Sequence, residues 1–465
     1  MHKISVGNEI LFADNGELLS NVLIKNNKSV EHLCGGRGVC QKCKVLVNDK
    51  EELSCKYLVT KDITVLLPEN KNIFSQLCAE ETGVLTENMC FVLDIGTTTL
   101  ALALVSLDEN RIIKVVTCTN PQRVYGADVM TRIDYCRKNS VKDLQSILVA
   151  EINKMVADFN ISQKLNLYVA GNTTMLHILF GVDPSSMGVV PYKPIFLESK
   201  CEKAENIGIK GLSEIISLPS ISSFVGADLV AGMNYIGMPS KDKYNLLIDL
   251  GTNAEVILFS QNSALCTAAA AGPCFEGANI ACGMSATDGA IYSFSFEDDI
   301  PQIKTIAKGN VKGICGTGLV DMIAELVKKD IIDETGYMEC EEYHITNSVF
   351  LNQNDVRQFQ LAKSAVYSAI ITLVEMQNVS FEQIENMYIS GGFSSKINVE
   401  NACDVGLLPK ELKEKCVTIN NSSLLGSVKF ACEQNDLSRY LENAKYVDLS
   451  ANPTFEELFV DNMEF

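Results

Sequence analysis

Apolar residues along the chain mark out a series of strands. At the N-terminal end, KISVGNEILFA (3–13) reads as strand, turn and strand, and KCKVLV (42–47) and KDITVLL (61–67) read as further strands. ELLSNVLIKNN (17–27) has the spacing of a short amphipathic helix. Farther on, FVLDIGTTTLALALV (91–105) and NLLIDLGTNAEVILFS (245–260) share one pattern: apolar strand, Asp, Gly-Thr turn, second apolar strand. Asp94 aligns with Asp249, Gly96 with Gly251 and Thr97 with Thr252, which predicts two β-hairpins related as an internal repeat. A third stretch, NMYISGGFSSKIN (386–398), reads as an apolar strand, a tight turn at Gly391-Gly392 and the start of a helix.

Chemistry enters first through the cysteines. CGGRGVCQKC (34–43) holds three, and the next is Cys55, so Cys34, Cys40, Cys43 and Cys55 are spaced C-x5-C-x2-C-x11-C. A zinc ribbon carries two short Cys-x-x-Cys pairs; here there is one. Three close cysteines and a distant fourth resemble the plant-type spacing for a 2Fe–2S cluster. Gly35, Gly36 and Gly38 suit backbone that wraps an anionic centre with its N–H groups close. A zinc knuckle and plain reduced thiols are the competing readings. His32 as a Rieske-type ligand would need a second histidine on the same iron. Strands around one helix, with the cysteine loop after it, resemble the ferredoxin β-grasp. A unit of about 70 residues is small, so a bound cluster would contribute to its stability.

Composition narrows the class. Apolar residues make up 47% of the chain, enough for buried cores, and formal charge is −19. An acidic chain disfavours nucleic acid, whose phosphates need a basic surface. The sequence has no run of 18 apolar residues, and MHKISVGNEI is not a signal peptide, so no membrane span and a cytoplasmic location are expected. The scatter of its 17 cysteines argues against a disulfide framework; most are expected to be small buried hydrophobes. ENKNIFSQLCAEETGVLTEN (69–88) reads as a linker.

The repeated hairpins carry the second chemistry. A glycine in the turn lets backbone N–H groups face a phosphate, threonine hydroxyls add donors, and an Asp closing the preceding strand can hold hydrated magnesium. One D-x-G-T fits an ordinary hairpin; two facing copies would grip a polyphosphate from both sides. The Gly391-Gly392 turn suits approach of an adenosine or α-phosphate.

Together the D-x-G-T-T-T, D-L-G-T-N and S-G-G-F motifs resemble the acetate kinase, sugar kinase, heat-shock 70 and actin superfamily. That resemblance implies two lobes, each a five-stranded sheet with helices, closing over ATP. LYVAGNTTMLHILFG (167–181) looks like its first connecting strand and helix, and TINNSSLLGSVKFA (418–431) like the second. The fold class expected is thus a β-grasp ferredoxin-like domain (α+β) followed by an actin-like, ribonuclease H-like ATPase domain (α/β). The expected borders are 1–70, a linker over 71–90 and an ATPase domain over 91–465. Lobe one would cover about 91–243 plus a C-terminal helix, and lobe two about 244–430.

A cysteine module fused to this ATPase resembles the reductive activators of corrinoid proteins. NPQRVYGADVMTRI (120–133), AAAGPCFEGANIACGMSATDGAI (269–291) and GICGTGLVDMIAEL (313–326) look like that family too. The short gap between cysteine module and ATPase suggests a member lacking the family's middle domain. The resemblance implies an ATP-dependent reductase that takes an electron from an upstream low-potential donor. It would pass it through the cluster to the corrinoid protein of a methyltransferase system, converting Co(II) to Co(I). A homodimer is expected on the same ground.

The resemblance assigns roles to particular residues. Cys34, Cys40, Cys43 and Cys55 would hold the cluster, and Asp94 and Asp249 would organise hydrated magnesium. Gly96, Thr97, Thr98 and Thr99 would hold one set of phosphate oxygens, and Gly251, Thr252 and Asn253 the γ-phosphate side. Gly391, Gly392 and Phe393 would border the adenosine. Gly272 and Glu276 would touch ribose or phosphates, or serve packing alone. Asp128 and Asp228 are candidates for positioning the attacking water, or for helix caps. His177 reads as structural, Cys315 as a buried thiol, and FEELFVDNMEF (455–465) as a solvated tail. Other classes remain open. One is a small-molecule kinase with a regulatory cluster. Another is a low-potential donor to a different enzyme, such as the 2-hydroxyacyl-CoA dehydratase activators serve, although those lack a ferredoxin module. The last is an ATP-gated redox sensor.

Overall fold

The computed structural model describes residues 1–7, 9–26, 28, 43–67, 85–251, 253–392 and 394–465. Cys34, Cys40, His32, Thr252, Phe393, the glycines of the cysteine loop and most of the expected linker lie outside them.

The N-terminal part contains β1 (His2–Val6), β2 (Glu9–Ala13), α1 (Leu19–Lys25), β3 (Lys44–Val47), β4 (Lys50–Leu53) and β5 (Ile63–Leu66). Its sheet runs β2–β1–β5–β3–β4, with β1 and β5 parallel and the other neighbours antiparallel. Strand alternation puts Ile4, Leu11, Val45, Val47, Ile63 and Val65 on one face, where Leu19, Val22 and Leu23 of α1 cover them. This is a mixed sheet over one helix, the β-grasp arrangement. The helix is shorter than its apolar spacing suggests, because Glu17 and Leu18 are extended and pair with Val59 and Leu58.

Lobe one begins with three antiparallel strands, β6 (Met89–Ile95), β7 (Thr99–Ser106) and β8 (Arg111–Thr119). It continues through α2 (Val129–Lys138), α3 (Val141–Ala157), β9 (Leu165–Gly171), α4 (Thr173–Leu179), β10 (Cys201–Lys203), β11 (Leu212–Ser217) and α5 (Ala227–Ile236). The sheet order is β8–β7–β6–β9–β11–β10. Ser140 caps α3 by accepting from the Lys142 N–H, and its Leu144, Leu148, Ile152 and Met155 fall on one buried stripe against the sheet.

Lobe two repeats the plan. Strands β12 (Tyr244–Leu250), β13 (Ala254–Phe259) and β14 (Ala264–Ala269) are antiparallel. A separate antiparallel pair, β15 (Ala290–Glu297) and β16 (Ile300–Thr305), precedes α6 (Gly316–Lys328) and the 25-residue α7 (Gln353–Gln377). Then follow β17 (Ile384–Ser390), β18 (Cys416–Thr418), α8 (Ser422–Glu433), β19 (Ala444–Tyr446) and α9 (Pro453–Asp461). The sheet order is β18–β17–β12–β13–β14–β19.

Two expectations need correction here. The stretch 167–181 is not the connection between lobes: β9 and α4 both belong to the first lobe's core. The helix that leads into lobe two is α5, and it crosses α8, whose Leu424, Val428 and Ala431 cover Val92, Ala101 and Ala103 of lobe one. The C-terminal stretch is not a solvated tail either. Phe455, Phe459 and Phe465 pack on the lobe-two core, and Gln360, Lys363 and Ser364 of α7 donate to the carbonyls of Met463, Glu464 and Phe459.

Candidate functional site

Both repeated hairpins end at one cleft of about 340 Å³ between the lobes. Asp94 is the penultimate residue of the first strand of hairpin one, and Asp249 of the first strand of hairpin two. Gly96, Thr97, Thr98 and Thr99 line the cleft from lobe one; Gly251, Asn253, Gly391 and Gly392 line it from lobe two. The backbone of each turn closes on its glycine: Gly96 N–H donates to Thr99 O (3.0 Å) and Gly251 N–H to Asn253 O (2.9 Å). Gly391 has φ +99°, and a Cβ there would stand 2.3 Å from Leu250 O, so the β17 turn can approach hairpin two only as glycine. Glu276 also lines the cleft. Gly272, at φ +78° before the turn Pro273–Glu276, is outside the lining.

Six acids line this cleft, and four of them, Asp94, Asp228, Asp249 and Glu255, form one interacting group. Asp94 accepts from Asn421 Nδ2 (2.9 Å) and Ser423 Oγ (2.7 Å), both at the start of α8. Burial still pushes its carboxyl above the ordinary range, against those two hydrogen bonds. Burial, with Asp94 nearby, pushes Asp249 up to about 6, and burial with Asp249 pushes Asp228 up to about 7. Glu255 is held well above its usual value by burial, then by Asp228 and Asp249. Asp249 and Glu255 sit directly opposite each other on β12 and β13, a cross-strand pair of like charge. Such crowding destabilises the ionised forms unless a cation joins them. No three of these carboxylates converge as direct metal ligands among the described residues; as oxygen acceptors they suit contact with a hard ion such as magnesium through its waters.

The remaining lining residues fix geometry. Asn172 Nδ2 donates to Thr97 Oγ1 (3.0 Å), and Thr98 Oγ1 donates across the cleft to Glu276 Oε1 (2.9 Å). Lys396 lies 5.6 Å from the centre of the Tyr292 ring, both on the lobe-two wall. Asp128 and Asp228 differ. Asp128 caps α2 in a capping box, its Oδ1 accepting from the Thr131 N–H (2.7 Å). Asp228, in the first turn of α5, faces the acid cluster.

Asn421, Ser423, Asn172 and Glu255 are not singled out by the sequence patterns above. Glu255 has a signal: in a tight hairpin the residue six after Asp249 falls opposite it. Asn421 and Ser423 begin α8 more than three hundred residues after Asp94, and no local pattern joins them.

Two sequence-predicted structural residues behave accordingly. His177 is buried, Nδ1 against Thr173 O (2.8 Å), Nε2 accepting from the Ile195 N–H (3.1 Å), and stacked on Phe196. Cys315 is buried at the start of α6 and donates to Ile291 O (3.1 Å).

Of the four candidate cluster cysteines, Cys43 and Cys55 are described. Both are buried, and their sulfurs lie 3.2 Å apart without a disulfide. That separation is well beyond a 2.05 Å S–S bond and brings two thiols to one point, as shared ligation of a metal centre requires. Among the described residues alone, no group of three metal ligands forms. No helix among them is long and apolar enough to cross a membrane.

Comparison with known proteins adds family information. Residues 243–465 match the C-terminal domain of RACo, the ASKHA domain, and residues 89–241 match the RACo middle region. The expectation of a missing middle domain is therefore wrong: the stretch that folds as lobe one is the middle region. The chain is 28% identical over 422 residues to the corrinoid activation enzyme RamQ of Eubacterium limosum, covering 80% of this chain and 69% of that one. It is 25% identical over 414 residues to a [Co(II) methylated amine-specific corrinoid protein] reductase of Methanosarcina barkeri, covering 80% and 76%. The solved structure of a reductive activator for corrinoid, iron-sulfur protein superposes with a TM-score of 0.73 at 22% identity, over 100% of this chain and 98% of that one, a likeness of fold.

Proposed function

We propose that this chain, which belongs to the RACo family of reductive activators of corrinoid proteins, couples ATP turnover to reduction of a corrinoid protein from Co(II) to Co(I). The observation that carries the ATP half is the cleft in which two D-x-G-T turns face each other around Asp94, Asp228, Asp249 and Glu255, all half-buried. The relatives' names carry the corrinoid half.

In this reading Gly96, Thr97, Thr98 and Thr99 hold one set of phosphate oxygens, and Gly251, Thr252 and Asn253 hold the γ-phosphate side. Gly391, Gly392 and Phe393 border the adenosine, and Asp94 and Asp249 orient the waters of a hydrated ion. Magnesium at the cluster of acids would offset both their charge and that of the phosphates. Asp228 is the better candidate of the two for orienting the attacking water. It faces the acid cluster, while Asp128 is occupied in its cap. The Thr98–Glu276 bond, which joins the lobes over the cleft, would help close them on a polyphosphate.

Cys34, Cys40, Cys43 and Cys55 would hold a 2Fe–2S cluster, supported by the convergence of the Cys43 and Cys55 sulfurs. Such a cluster supplies one-electron chemistry at roughly −400 mV, too high by itself for Co(II) reduction. Closure of the lobes on ATP would favour the partner conformation in which cobalt accepts the electron, through differential binding. An upstream low-potential donor supplies that electron, and the protein acts in the cytoplasm, as a homodimer.

The test is anaerobic. Cluster-loaded protein, a low-potential reductant and a Co(II) corrinoid protein of the same organism are mixed with and without Mg-ATP, and cobalt is followed by absorbance. Co(I) should appear only with ATP and be lost in Cys55→Ala and Asp249→Ala. Rapid ATP hydrolysis with no cobalt reduction by any corrinoid partner would sink the reading.

A further inference from the structure

Three consecutive carbonyls of the first phosphate turn are held from behind. Asn120 Nδ2 donates to Gly96 O (2.8 Å), Arg132 Nη2 to Thr97 O (2.5 Å), and the Asn120 N–H to Thr98 O (2.8 Å). In a trans peptide the carbonyl and the next N–H point in opposite directions. The N–H groups of Thr97 and Thr98 are thus turned away from Asn120 and Arg132. Neither has an acceptor among the described residues, and both residues line the cleft.

Arg132 does this from a position with 0% exposure. It is the fourth residue of α2, and its side chain runs back over the preceding loop. Besides Thr97 O, Nε donates to Gly126 O (3.0 Å) and Nη1 to Gln122 Oε1 (3.2 Å), with Met175 Sδ at 3.1 Å from Nη1. Every one of these partners is neutral. Asp128 and Glu276 act on the guanidinium only through space, against burial and Arg123, which together bring it down to about 9. At neutral pH it is therefore a buried cation whose directly bonded partners carry no charge, offset through space by Asp128 and Glu276. A planar fork can reach three separate acceptors; an ammonium on a flexible stem cannot fix them equally.

We propose that Arg132 is the positioning residue of the first phosphate turn. It locks Thr97 O from behind, outside the cleft lining, so that the Thr97 and Thr98 amides face a phosphate oxygen in the cleft. The inference rests on the nucleotide reading of the cleft and gives a reason for the segment 120–133. Asn120, Gln122, Gly126 and Arg132 form one brace behind the turn.

The test measures binding of Mg-ATP, Mg-ADP and adenosine to the full chain, for wild type, Arg132→Met and Arg132→Lys. Arg132→Met should weaken ATP and ADP at least tenfold and change adenosine less than twofold. Arg132→Lys, which restores charge but not the fork, should fall between. Equal weakening of adenosine and ATP, or unchanged ATP affinity in both variants, would overturn the proposal. Should Arg132→Met not fold, Arg132→Lys decides alone: ATP weakened threefold or more with adenosine unchanged supports it, and unchanged ATP affinity ends it. A wild type that binds ATP no tighter than adenosine removes the nucleotide reading itself, and this inference with it.

Discussion

Thr98 Oγ1 lies 2.9 Å from Glu276 Oε1, a hydrogen bond between residues 178 positions apart that joins the two lobes over the cleft. Thr98 sits in the turn of hairpin one, and Glu276 ends the short helical turn after hairpin two. A hydrogen bond to a carboxylate contributes about 1.5–3 kcal/mol. Thr98→Val and Glu276→Ala should each weaken ATP binding about tenfold, equivalent to about 1.4 kcal/mol. Because Thr98 can also touch phosphate, the double variant is the discriminating one. If the bond couples the lobes, it should bind ATP little worse than either single variant. Fully additive losses would mean that the two residues act separately.

The Cys43 and Cys55 sulfurs, 3.2 Å apart and buried, support a second prediction. Reconstitution with iron and sulfide under anaerobic conditions should give visible charge-transfer absorbance and about two irons per chain, the content of a 2Fe–2S centre. Cys43→Ser and Cys55→Ser should each lose most of that absorbance and lower the thermal midpoint of the N-terminal unit. Retention of the full spectrum in either variant would remove that cysteine from the ligand set. Reconstitution with zinc alone, giving the same stability gain, would favour the zinc knuckle.

Much of this architecture is legible in residue order, and the exceptions have physical causes. The two D-x-G-T hairpins are visible because each is local: strand, acid, glycine turn and strand lie within about 15 residues, and the pattern repeats. The brace formed by Asn421 and Ser423 on Asp94 is not visible, because it is made by chain folding back from α8. The segment 167–181 passes for the inter-lobe connection because strand, Asn cap and apolar helix describe many α/β units. The true connecting helix, α5, is apolar nearly all round, since α8 covers one side and the lobe-two sheet another. The C-terminal stretch reads as a tail by its charges. Its opposing signal is Phe455 and Phe459 at i, i+4 behind an Asn-Pro helix start.

The crossing of α5 and α8 gives a third prediction. A Cβ on Gly426 would stand 1.7 Å from Ala231 O, and Asn234 Nδ2 donates to Gly426 O (3.0 Å) at the same crossing. Gly426→Ala must push the helices apart, which costs about 1–3 kcal/mol in a packed interior. The thermal midpoint should fall by several degrees, and ATP affinity should fall with it, because α8 also carries the partners of Asp94. Gly392→Ala is the control for stability, since a Cβ there meets nothing within 4 Å. Equal midpoints for the two variants would contradict the tight crossing.

The acid cluster makes stability depend on pH and on magnesium in opposite senses. Asp249 rises to about 6 and Asp228 to about 7 from an ordinary value of 3.8, both chiefly through burial. An acid raised on folding binds more protons folded than unfolded, so its contribution is complete below about pH 4 and is lost as pH climbs through 6 and 7. Each tenfold change in proton affinity is worth about 1.4 kcal/mol, so the ligand-free protein should lose on the order of a few kcal/mol between pH 5 and pH 8. Magnesium with nucleotide selects the ionised carboxylates, so its binding releases protons and tightens over that same window. Thermal midpoints measured from pH 5 to pH 8 should therefore fall in chelator and stay flatter with Mg-ATP. Asp249→Asn removes one charge from the crowd. It should raise the chelator midpoint at pH 8, flatten its pH slope and abolish the extra stability given by Mg-ATP. A chelator profile that is flat in the wild type, or an Asn variant still stabilised by Mg-ATP, would show that Asp249 neither titrates in this range nor orients the ion.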